Sequence, residues 1–194
     1  MAAKGKAAGI ADEGGWWPQF DSNEEALETL TEAITLAGET PGENVVISLD
    51  IAASEFGTKG KYQLALENRT LTSDQLIDLL GSWLHRYPIA SIEDPLAEDD
   101  KEGMIAFTAA HGQNVQIIGD DYFVTNKALV KEALDDNAAN AVLIKVNQIG
   151  TVTEALKTFQ PHGRLDGAAT SLPGLVEQKK HVLYIYPFDF AGGN

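Results

Sequence analysis

The chain contains no cysteine, so neither a disulfide framework nor a thiolate metal site can be built from it. Basic residues are scarce: 14 Lys and Arg stand against 29 Asp and Glu, a formal net charge of −15 and a pI near 4.5. Phosphate backbones are bound by basic stripes, so nucleic acid is not an expected partner. No stretch approaches the roughly 18 uninterrupted apolar residues of a membrane-spanning helix. The N-terminal MAAKGKAAGIADEGG also lacks the apolar segment of a secretion signal. Neither a P-loop nor a GxGxxG run is present, which removes the usual signals for nucleotide binding. These absences lead us to expect a soluble cytoplasmic protein with no membrane partner.

What is present suits a packed globular fold: 194 residues, 44% of them apolar and 22% charged. One domain is the default. In SNEE, Ser22 stands three residues before Glu25, a capping-box pattern, and Leu27, Leu30, Ile34 and Ala37 then recur at helical spacing up to Gly38. A second box, Thr72 with Gln75, opens a helix whose apolar face is Leu76, Ile77, Leu80 and Leu84, ended by Tyr87-Pro88. Further helices are predicted over 100–111, over 126–136 and from near Thr151. Short, β-branched runs at 45–51, 89–92, 115–118 and 141–146 read as buried strands. The stretch holding Gly57 and Gly60 reads as a loop. Strands alternating with helices predict parallel βα units, α/β in class, with crossovers covering both sheet faces in either an open sheet or a barrel.

Such folds place chemistry at the carboxyl ends of their strands, and here those ends are unusual. VVISLDI delivers Asp50, IASIEDP delivers Glu93, VQIIGDD delivers Asp120 and AVLIKVNQ delivers Lys145 to one rim. A single acid at a strand end often only closes the strand or caps the next helix. Three in successive units make an oxygen ligand set of the kind Mg²⁺ takes. Lys145 alone would be read as a lysine reaching solvent. Among apolar neighbours and beside a cation, its pKa is expected to fall toward that of a general base. In ADEGGWWP, two readings of Glu13 stay open: part of a surface turn capped by Asp12, or a proton-shuttling carboxyl near the metal. Asp94, Glu98, Asp99, Asp100 and Asp121 read as helix-start caps or as groups supporting the ligands. His85, His111, His162 and His181 show no ligand spacing.

In order and spacing, the runs ADEGGWWP, SNEEAL, SLDIAASEF with GKYQL, YPIASIEDPLAEDD, IIGDDYFVTN and NAVLIKVNQIGTVTEAL resemble the enolases, over residues 7–156. The resemblance implies the fold of an enolase-type TIM barrel, incomplete here, with four to five strands making a half-barrel. It also implies Mg²⁺ held by Asp50, Glu93 and Asp120, Lys145 as base, and Glu13 assisting departure of a hydroxyl. Glu93, Asp120 and Lys145 would contact substrate. Enolase-superfamily sites use a Lys or His base with Mg²⁺. The implied reaction is dehydration of 2-phosphoglycerate to phosphoenolpyruvate in glycolysis.

Departures from the family pattern are also legible. No SHRSGETED-like run is present, Ala11 stands where a Gly is usual, and Trp16-Trp17 replace smaller residues. Residues 1–156 are therefore expected to form part of a barrel domain, and 157–194, with PHGRLDGAATSLPG and VLYIYPFDF, an unrelated tail contributing at most one strand. A closed barrel takes about 250 residues, so truncation or a frame shift is expected, with a second copy or a complementing chain covering the open edges and isolated activity very low. The alternatives are a catalytically silent half-barrel that binds metal or docks on a partner, and another enolate-forming lyase of the superfamily.

Overall fold

A computed structural model describes residues 4–10, 15–159 and 181–185. A two-stranded antiparallel ribbon opens the chain, β1 (Ala7–Ile10) against β2 (Trp16–Pro18). Helix α1 (Asn23–Leu36) follows, then β3 (Val45–Asp50). As predicted, Ser22 caps α1 by accepting from the Glu25 N–H, but the box is not reciprocal: the Glu25 carboxylate accepts from Asp21 N–H and from Lys6 instead. The sheet continues through β7 (Ile89–Glu93), β8 (Gln116–Gly119) and β9 (Ala141–Val142). These strands are separated by α2 (Ser73–Arg86), α3 (Lys101–His111) and α4 (Lys127–Asp136), and α5 (Val146–Ile149) and α6 (Val152–Phe159) come after. Every neighbouring pair in the order β10-β3-β7-β8-β9 is parallel, β10 being His181–Ile185, which runs in register with β3. Of the stretch 157–194, then, one strand joins the main sheet, and the sheet is open among the described residues.

Side-chain alternation along the strands divides the sheet into two unlike faces. Ile47, Leu49, Ile51, Ile92, Ile117 and Val142 join the helix residues Leu27, Ile34, Leu76, Leu80, Trp83, Met104, Phe107 and Val130 in one apolar core. The opposite face carries Ser48, Ser91, Ile118 and Ala141, and above them the acids. Ser48 and Ser91 satisfy each other by a buried hydroxyl contact of 2.5 Å, while Ile118, Ala141 and Leu143 form a small separate cluster. The helices thus share one core on one face, the layout of a barrel segment rather than of a doubly wound sheet.

Helices α1 to α4 thus cover one face of the sheet, not both as expected, and two predicted stretches of backbone also differ. The stretch around Gly57 and Gly60 is not a plain loop but a small antiparallel sheet of β4 (Gly57–Thr58), β5 (Lys61–Leu64) and β6 (Arg69–Thr72). Tyr62 and Leu64 point inward from β5, and the buried Tyr62 hydroxyl donates to Asp100 at 2.6 Å and accepts from the Ala97 N–H at 3.1 Å. This ties the small sheet to the loop leaving β7. The last predicted strand is also shorter than 141–146. β9 ends at Val142, and the Lys145 N–H bonds the Thr125 hydroxyl at 2.8 Å instead of continuing a ladder. A single helical turn then begins at Val146 and is closed by Gly150 at φ 96°. The capping box at Thr72 and Gln75 is reciprocal, as read from the sequence.

Candidate metal and proton-transfer site

The three acids lie at adjacent strand ends because the strands pair in register there. Asp50 is the direct register partner of Glu93, and Glu93 pairs with Ile118, two residues before Asp120. Bonds across the rim hold this order: Ile51 N–H to Glu93 O at 2.9 Å, Asp94 N–H to Ile118 O at 2.9 Å, and Leu143 N–H to Gly119 O at 3.1 Å. Gly119 has a packing reason, since a Cβ there would lie 2.5 Å from the Phe123 ring. The backbone is strained along the same rim. Ala52, Asp94, Val124 and Thr125 all take positive φ, between 39° and 56°, where non-glycine residues pay a steric penalty.

Asp94 is not a helix cap. It is buried, and its two carboxylate oxygens accept the Asp120 and Asp121 N–H groups at 3.0 and 2.8 Å, fixing the turn that presents Asp120. Asp100 is the cap: it accepts the Gly103 N–H of α3 as well as the Tyr62 and Ser73 hydroxyls. Asp99 accepts from Thr58 and from the Lys59 N–H, holding β4.

Crowding of like charge with little water shapes the electrostatics. Burial pushes the Glu93 carboxyl up to about 8, reinforced by Asp50, Asp94 and Asp120. Burial likewise raises Asp50 to about 6, with the Ala52 N–H opposing and Asp120 adding. Asp94 rises to about 7 through burial despite its two backbone donors. The counter-charge is Lys145, whose ammonium bonds Asp120 Oδ2. The fall expected for this lysine belongs to the site with a cation beside it; without one, the acids decide. Burial pulls it down, but the hydrogen bond and charge of Asp120, with Glu93 and Asp121, outweigh burial and hold it above its ordinary value.

An all-oxygen set of mutually repelling carboxyl groups fits a hard dication, which would relieve the repulsion that raises Asp50 and Glu93. As the side chains lie, no three Asp, Glu or His among the described residues converge into a closed ligand cage. Both Asp120 oxygens are engaged, Oδ2 by Lys145 and Oδ1 by the Gln148 amide at 2.7 Å. The three acids thus lie at neighbouring strand ends, with Asp120 turned toward its hydrogen-bond partners.

Comparison with known proteins is decisive at this point. The family model described as "Enolase, C-terminal TIM barrel domain" matches residues 1–166. The chain belongs to the enolase family. The enolase match runs ten residues beyond the 156 inferred from the motifs. A curated relative, Enolase 1 of Desulfitobacterium hafniense (strain Y51), is 49% identical over 167 residues, 83% of this chain and 38% of the relative. The chain thus spans well under half of that enolase's length.

Of the site residues inferred from sequence, Asp50, Glu93, Asp120 and Lys145 come together; Glu13 falls outside the described residues. Two others, inside the enolase-like runs but given no role from the sequence, emerge from the geometry: Gln148 on Asp120, and Thr125 bonded to Gln148 and to the Lys145 N–H. Neither carries a sequence signal of its own, since a lone Gln or Thr in a polar run is unremarkable. Of the histidines, His85 is exposed and His111 half-buried against Phe107. No helix among the described residues is long and apolar enough to cross a membrane.

Proposed function

We propose that this chain carries the metal-and-base part of an enolase-type lyase centre, acting on 2-phosphoglycerate to give phosphoenolpyruvate, as in glycolysis. One observation carries the reading: Asp50 and Glu93 are register partners at adjacent strand ends, and the Lys145 ammonium lies on Asp120 beside them. Asp50, Glu93 and Asp120 would hold Mg²⁺. When bound, the cation supplies positive charge opposite the substrate carboxylate as negative charge builds there in the transition state.

Lys145 serves as the base. Its Nζ takes the proton from the carbon next to the carboxylate, which requires the neutral amine. The acids that now favour its ammonium are the proposed ligands, so a cation drawing on their charge lowers the hold that Asp120, Glu93 and Asp121 exert on the lysine proton. Glu13 gives a proton to the departing hydroxyl, which leaves as water. Glu93, Asp120 and Lys145 would contact substrate.

The test is an absorbance assay for phosphoenolpyruvate with 2-phosphoglycerate and Mg²⁺. Slow turnover that Lys145→Ala abolishes supports the reading. No turnover at any protein concentration removes the lyase and leaves a silent metal-binding or partner-docking fragment. Turnover of a different 3-hydroxy carboxylate, with none of 2-phosphoglycerate, would point to another enolate-forming lyase. Rates should be far below those of a complete site, because positioning by substrate-clamping groups can be worth several kcal/mol. Sedimentation would show whether a second copy or another chain pairs with the open sheet.

A further inference from the structure

We infer that Thr125 and Gln148 are positioning residues that orient Asp120 as a metal ligand, Thr125 determining which end of the Gln148 amide faces it. The inference rests on the metal-binding reading above and gives a role to two residues inside the enolase-like runs to which no role was assigned from the sequence.

The Lys145 backbone N–H can only donate, and it donates to Thr125 Oγ1 at 2.8 Å. The hydroxyl's single proton is then directed to its other neighbour, Gln148 Oε1, at 2.8 Å. That neighbour must therefore present its carbonyl oxygen, so the amide's NH₂ end points away from Thr125 and lies on Asp120 Oδ1 at 2.7 Å. The other Asp120 oxygen meets the Lys145 ammonium. Both side-chain partners of Asp120 thus hang from one hydroxyl, Lys145 through its main chain and Gln148 through its amide.

Thr125 is held firmly enough to play this part. It is fully buried, and its carbonyl accepts the Thr158 hydroxyl of α6 at 2.8 Å. It also has φ 56°, directly after Val124 at φ 43°, two β-branched residues in a region such side chains avoid. A turn strained at two consecutive positions, beside a site, persists where surrounding bonds over-determine it. Hydrogen bonds to ligating carboxylates are known to set their orientation, and losing one typically costs about 10- to 100-fold in metal affinity.

The test measures Mn²⁺ binding from the free-ion electron paramagnetic resonance signal, with wild type, Thr125→Val, Thr125→Ser, Gln148→Met and Asp120→Ala at one pH. Thermal unfolding of each in chelator runs in parallel. Thr125→Val and Gln148→Met are expected to weaken Mn²⁺ by about 10- to 100-fold, while Thr125→Ser, which keeps the hydroxyl, stays within about threefold of wild type. Should Thr125→Val fail to fold, Gln148→Met decides alone. Wild-type affinity in a folded Thr125→Val or in Gln148→Met overturns the inference while leaving the metal site standing. No Mn²⁺ binding by wild type, or equal binding by Asp120→Ala, overturns the metal reading and this inference with it.

Discussion

Replacing Tyr62 with Phe isolates one buried hydroxyl and makes a quantitative prediction. The ring is fully buried and Phe keeps its volume and apolar burial, so only the two bonds of the oxygen are at issue. The first is donation to the Asp100 carboxylate at 2.6 Å, the kind of bond worth about 1.5–3 kcal/mol. The second is acceptance from the Ala97 N–H at 3.1 Å, and leaving a buried N–H unpaired costs about 1–3 kcal/mol. Asp100 keeps the Ser73 hydroxyl and the Gly103 N–H, which places the total near the lower end of the sum, about 3 kcal/mol. Urea unfolding should show that loss as a shift in midpoint with unchanged slope. Hydrogen exchange should show the Ala97 amide losing protection first. Because Ala97 lies in the loop that leaves β7 just after Glu93, the same anchor governs where that loop runs. A loss below about 1 kcal/mol, or unaltered exchange at Ala97, would refute the claim that this hydroxyl ties the small sheet to the rim.

In chelator, stability should fall as pH rises from about 4.5 toward 8. Glu93, Asp50 and Asp94 have folded pKa values above their ordinary ones, so the folded state binds more protons across that window. Glu93 alone would account for at most about 5 kcal/mol, less than additive with Asp50 because they share one repulsion. Urea midpoints that rise across that window would contradict the sign. Thr72→Ala removes the acceptor for the Gln75 N–H from a reciprocal box and should cost about 1 kcal/mol by thermal unfolding; no change would argue that α2 is held by its apolar face alone. Gly57→Ala would put a Cβ 2.1 Å from Tyr62 Cδ1, against a ring with nowhere to retreat, and should cost about 2 kcal/mol or more in urea unfolding. An unaffected midpoint would mean that the Tyr62 ring is free to shift.

Residues with a role in local chain physics could be read from sequence. The α2 box at Thr72 and Gln75, the Asn126 start of α4 and the acids ending β3 and β7 all follow from patterns of a few neighbouring residues. What escaped depended on distant partners. Ile144, Lys145 and Val146 look like strand because they are β-branched and apolar around one charge. A threonine twenty residues earlier takes the Lys145 N–H and turns the chain into α5. β5 and β6 are each only four residues long, β5 directly after Gly60 and β6 directly after Asn68 at φ 50°, so turn chemistry hid them. For Asp94 the sequence left a cap and a group supporting the ligands side by side; the pairing of β7 with β8, which brings it under the Asp120 and Asp121 amides, decides for the second.

The central claim is that Asp50, Glu93 and Asp120 form one cation site with Lys145 at its edge. Calorimetric titration of Mg²⁺ into wild type and into Asp120→Ala tests it most directly. The account predicts a saturable heat for wild type that disappears in the variant, and equal heats from the two proteins would contradict it.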